Sequence, residues 1–116
     1  MDLKECYQAL GGDYESVLGR LRSERMITKF VLKFLDDKSC ETLLDAVARK
    51  DGEVAFRAAH TIKGICQNLS FDRLYVSSHA LAECLRGGWA DEAVALTEQV
   101  REDYRVTADA IRGLDV

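Results

Sequence analysis

Residues 51–85 read DGEVAFRAAHTIKGICQNLSFDRLYVSSHALAECL, and the architecture is most directly legible here. Apolar residues recur every three or four positions, at Val54, Ala55, Ala58, Ala59, Ile62, Ile65, Cys66 and Leu69. That is the period of an amphipathic helix. Asp51 is a good N-cap, and Glu53 in the first turn suits the positive end of the helix dipole. The helix is expected to run to about Leu69, roughly 25 Å at 1.5 Å per residue. Phe71, Leu74, Ser78, Leu81 and Leu85 mark a second helix at the same spacing, ended by Gly87 and Gly88. Only Leu69, Ser70 and Phe71 separate the two, so they form an antiparallel hairpin.

The same spacing extends outward from this hairpin. Leu3, Cys6, Tyr7 and Leu10 give a short first helix that Gly11 and Gly12 stop. Asp13 caps a second short helix through about Leu18. Ser23 precedes a helix with Ile27, Phe30, Val31 and Phe34 inside, and Ser39 is read as the cap of another with Leu43, Leu44 and Val47 inside. Spacing alone leaves open whether these two are separate helices or one bent rod. A last helix carries Ala93, Leu96, Val100, Tyr104, Thr107 and Ile111, with Gly113 as its cap. The chain has no proline to break any of them, and no segment alternates like a half-buried strand. The expected fold is all-α: one domain over 1–116, an antiparallel four-helix bundle at about 23–113 with short extra N-terminal helices at about 2–20.

Composition narrows the function. With 116 residues, 47% hydrophobic and 31% charged, the chain has the balance of a soluble globular domain. A net charge of −4 argues against nucleic acid, which needs a basic face. The greasiest stretch, from Met26 to Leu35, is interrupted by Lys29 and Lys33 and is far short of the ~20 residues that span a bilayer. Asp2, Lys4 and Glu5 replace the apolar core of a signal peptide, so a cytoplasmic protein without membrane contact is expected. Cys6, Cys40, Cys66 and Cys84 are widely spaced, with no Cys-x-x-Cys pair, and free thiols are expected rather than disulfides or a zinc site.

One helix face is unusual. With His60 set at zero on a wheel of about 100° per residue, the apolar stripe of residues 54–69 falls between about 120° and 260°. His60 is nearly opposite its centre, and within about 60° of it lie Glu53, Phe56, Arg57, Lys63, Gly64 and Gln67. The imidazole is therefore expected to face solvent rather than the core. Gly64 costs about 1 kcal/mol relative to alanine in mid-helix. What it provides is a surface without a side chain, one turn from the ring. Lys63, at i+3, can lay an ammonium beside an anion on the ring. Phe56 is an aromatic on the wrong face for the core, as in a docking patch. A neutral imidazole is a competent nucleophile near pH 7. If it accepted a phosphoryl group, the cation would offset the new charge and the glycine gap would admit the donor.

His60-Thr61-Ile62-Lys63-Gly64, within the run from Ala58 to Leu69, resembles the His-x-x-Lys-Gly motif of histidine-containing phosphotransfer (HPt) domains. Those domains are helical bundles of about this length, and the resemblance covers nearly the whole chain. It implies that His60 carries the phosphoryl group, Lys63 stabilises it and Gly64 opens the approach. It also implies partners: receiver domains of response regulators, a sensor histidine kinase, or both, with Mg²⁺ held by the receiver and no cofactor here. Phe56, Arg57, Ala59 and Gln67 would complete the docking face around His60, Lys63 and Gly64. Arg57 and Lys63 make that face locally basic, which favours an acidic receiver pocket. Many members carry glycine where this chain has Ser70, so a slightly different turn is expected. Many also carry Gln or Glu twenty-two residues after the histidine, against its other ring nitrogen, where this chain has Ala82. Water, Ser78 or Glu83 would then orient the ring. His79 falls on the flank of its own helix and reads as structural or merely exposed.

Two other functions fit the residues less well: an HPt-like interaction module that binds receivers without carrying phosphate, and a metal-binding bundle, which would need inward-facing ligand pairs. No Gly-x-x-x-x-Gly-Lys loop is present, so a phosphoryl carrier dependent on a donor in trans is expected rather than an enzyme with its own ATP site. Nothing in the surface pattern demands a dimer, and a monomer is expected.

Overall fold

Four of the seven helices among the described residues begin where a short polar side chain, that of Asp2, Asp13, Ser23 or Asp51, accepts a free backbone N–H of the first turn. The computed structural model describes residues 1–115. Its helices are α1 (Leu3–Leu10), α2 (Tyr14–Leu21), α3 (Glu24–Phe34), α4 (Ser39–Ala48), α5 (Gly52–Leu69), α6 (Asp72–Leu85) and α7 (Ala93–Arg112). Asp13, Ser23 and Asp51 cap as expected, their side chains accepting from the N–H groups of Ser16, Met26 and Val54. No strand occurs among the described residues.

Two expectations are corrected. Ser39 is the first residue of α4 rather than its cap; Lys38 takes the cap position without a side-chain bond, and the Asp37 carboxylate accepts the Ser39 N–H at 2.8 Å. The α2 helix continues past Leu18 to Leu21 and ends on Arg22 in the left-handed conformation (φ 68°). The open question upstream is also answered, since the turn at residues 35–38 makes α3 and α4 separate helices.

Each of α4, α5, α6 and α7 packs on the next, and α7 returns to α4 to close a four-helix ring. The short connections make successive helices antiparallel. The N-terminal helices surround the ring, with α1 along α7 and α3 against α2 and α5. Tyr7, Phe34, Phe71 and Tyr104 form a chain of aromatic contacts with ring centroids 5.3–5.7 Å apart. This cluster lies at the α5–α6 turn, where the buried Tyr7 hydroxyl donates to the Leu69 carbonyl at 2.8 Å. The turn itself is made by Ser70 in the left-handed region (φ 58°, ψ 41°), which favours glycine. Its hydroxyl lies 3.1 Å from both the Arg20 guanidinium and Ser16 Oγ, which anchor the turn to α2. No helix among the described residues is long and apolar enough to cross a membrane.

The ring fixes how α5 is presented. Ala55, Ala58, Ala59 and Ile62 are buried, and α5 is flanked by α4 and α6. Small side chains on that side let the neighbours approach closely. The opposite face of α5 is left to solvent.

Candidate functional site

His60 lies in the middle of α5 on its outer face and is exposed, as the wheel requires. The Phe56 ring, one turn earlier, is half-buried and stacks on the imidazole, with centroids 5.8 Å apart and planes 26° apart. Lys63 is half-buried on the same face and, among the described residues, makes no ion pair within 4 Å. Gly64 is exposed, and a Cβ placed on it would meet nothing within 4 Å, so the space beside His60 is open on that side. Gln67 is exposed one turn further on. Arg57 is exposed, with its guanidinium 3.8 Å from Glu53, which offsets part of its charge.

Ala59 does not belong to this face. It is fully buried, so it cannot touch a docking partner. Its wheel position near 260° falls at the edge of the apolar stripe, and the packed ring draws that edge into the core.

The groups expected to orient the imidazole are otherwise engaged. Ser78 is buried, and its hydroxyl donates back to the Leu74 carbonyl at 2.7 Å within α6. Glu83 accepts two hydrogen bonds from Arg86, at 2.8 and 3.0 Å. Those bonds, with the fields of Arg86, His79 and Lys63, hold the Glu83 carboxyl below its ordinary range. Ala82 is fully buried. Among the described residues none hydrogen-bonds the His60 ring.

Arg86 is the residue that spacing arguments passed over. Its guanidinium carbon lies 5.4 Å from the centroid of the Phe56 ring, so Phe56 touches His60 within α5 and Arg86 from the end of α6. The signal was available in the hairpin: Arg86 follows Phe71 by fifteen residues and Phe56 precedes it by fifteen, which sets them level on antiparallel helices. His79 is half-buried on α6 and stacks on Tyr75, with centroids 5.7 Å apart and planes 6° apart. Its Nδ1 is buried without a hydrogen-bond partner among the described residues.

Chemically, the face offers an accessible imidazole, an ammonium with no carboxylate within 4 Å among the described residues, and open space for an incoming group. Among the described residues no three His, Cys, Asp or Glu side chains converge as a metal site, and the four cysteines are free thiols. No curated protein and no solved structure matches the chain. The family model for the Hpt domain does match, over residues 33–112. That span takes in the whole four-helix ring and the His60 face, and the chain belongs to the Hpt-domain family, whose role is histidine phosphotransfer in two-component signalling.

Proposed function

We propose that His60 is a phosphoryl carrier, accepting the group from a receiver-domain aspartate or a sensor kinase and passing it to another response regulator. The supporting observation is the exposed imidazole beside the side-chain-free surface at Gly64, with Lys63 one turn away on the same face. In the forward step the imidazole lone pair forms an N–P bond. The P–O bond to the aspartyl carboxylate breaks, and the carboxylate keeps that electron pair. The return step reverses these changes on the next receiver.

Positioning and charge compensation are most of what phosphoryl transfer asks of a protein. Lys63 supplies the charge, and Gly64 supplies access for the partner's loops. Mg²⁺ belongs to the receiver, and no cofactor is assigned to this chain. The docking face consists of Phe56, Arg57, Lys63, Gly64 and Gln67 around His60. The protein works as a monomer in the cytoplasm, and transient contacts of this kind are small.

A second reading, a receiver-binding module that carries no phosphate, draws on the missing hydrogen bond to the His60 ring. Incubation with a phosphorylated receiver separates the two. Carrier chemistry gives acid-labile, base-stable label on the wild type and none on His60→Gln. Equal labelling of both refutes the assignment to His60, and receiver binding that survives His60→Gln with no label on either protein supports the module.

A further inference from the structure

Imidazole reactivity depends on where the ring points. In α5 that orientation has no hydrogen bond behind it from the described residues. What the ring does have is a stack of three planar groups: His60, Phe56 at 5.8 Å, and the Arg86 guanidinium 5.4 Å from the Phe56 centroid. The His60–Phe56 contact is a one-turn neighbour pair, which alone would leave both side chains free to change rotamer. Arg86 comes from the end of another helix, and its guanidinium donates two hydrogen bonds to Glu83. Phe56 thus has a tertiary contact with Arg86 as well as its contact with the imidazole one turn on.

We propose that Phe56, clamped by Arg86 and Glu83, is the positioning residue for His60, holding the ring by stacking where Ala82 offers no hydrogen bond. Stacking suits a nucleophile in one respect: it restricts the ring's rotation without occupying either ring nitrogen. The proposal rests on the carrier reading of His60. It also revises the place of Phe56 in the docking face, since a half-buried ring in contact with both His60 and Arg86 serves the histidine before it serves a partner.

The test uses the full chain, with Phe56→Leu, Phe56→Tyr and Arg86→Gln. Proton NMR of the His60 ring reads the geometry without any phosphoryl group. Phosphoramidate, which loses ammonia as its phosphoryl group moves to an imidazole nitrogen, reads reactivity without a partner protein. Wild type and Phe56→Tyr are expected to show the His60 carbon-bound protons shifted upfield by the neighbouring ring, and to take label at similar rates. Phe56→Leu is expected to lose the shift and to label about three- to tenfold more slowly, the effect of losing one aromatic contact. Arg86→Gln, at an exposed position that leaves the core intact, is expected to weaken the shift and slow labelling about twofold. Labelling at the wild-type rate by Phe56→Leu, or ring shifts unchanged in it, overturns the positioning role while leaving the carrier reading intact. A wild type that takes no label overturns both.

Discussion

Gly64→Ala should make this protein more stable and a poorer phosphoryl acceptor from a receiver. Gly64 lies inside α5 and is not among the residues with positive φ, so its backbone gains nothing from lacking a side chain. A Cβ at this position meets nothing within 4 Å, so the substitution carries no clash. Alanine is favoured over glycine in a helix interior by about 0.8–1 kcal/mol. For 116 residues the entropy of unfolding is about 0.24 kcal/mol/K, so that gain raises Tm by about 4 °C. The new methyl stands where a receiver's loops must pass to bring an aspartyl phosphate in line with His60. Small displacements at a reacting pair are costly, and transfer from a receiver should fall by about tenfold or more. Phosphoramidate, being small, should be affected much less. Thermal melts followed by far-UV circular dichroism, paired with single-turnover transfer from a phosphorylated receiver, measure both effects. A lower Tm would refute the claim that the position is sterically open. Unchanged transfer from the receiver would refute the claim that glycine is there for access.

Lys63→Ala should keep the fold and slow transfer by about 5–30-fold, since one charge-assisted contact at a half-buried position is worth about 1–2 kcal/mol; stopped-flow or quench kinetics would check this. Ser70→Ala should be less stable than Ser70→Gly by about 1 kcal/mol in denaturant titrations. Both variants lose the hydroxyl contacts to Arg20 and Ser16, but only alanine retains the strain of φ 58°. Burial raises the Cys6 and Cys40 thiols to about 11 and Cys66 further still, so at pH 8 these three should resist iodoacetamide in the native protein while half-buried Cys84 reacts first, as counted by mass spectrometry. Because these acids have raised pKa values in the folded state, the stability they contribute is complete below the ordinary thiol range. It should decline as the pH rises through that range toward about 11, visible as a falling Tm.

The helices were legible because their determinants are local. Apolar spacing and the Asp13, Ser23 and Asp51 caps act within a few residues, and the hairpin of α5 and α6 follows from a turn too short for any other path. Exposure of His60 was legible for the same reason, since it depends on its angle from a wide apolar stripe. Readings failed where neighbours outside the helix decide. At Ser39 a carboxylate from the preceding turn, Asp37, already accepts the N–H that a cap would serve elsewhere. Ala59 sits at the edge of the stripe, and only the packing of the ring decides that it is buried. Arg86 acts on Phe56 across the hairpin, a contact that periodicity along one helix cannot register. Ser78 looked free to reach the imidazole, but a buried hydroxyl bonds the nearest carbonyl, here that of Leu74 in its own helix.

The chain contains two histidines, His60 exposed beside Gly64 and His79 half-buried on Tyr75. Mapping the phosphoryl group by mass spectrometry of peptides prepared at neutral pH therefore addresses the carrier assignment directly. Phosphate is expected on the peptide containing His60 and not on the peptide containing His79. Phosphate on His79, or on neither histidine after exposure to a phosphorylated receiver that labels other Hpt domains, would contradict it.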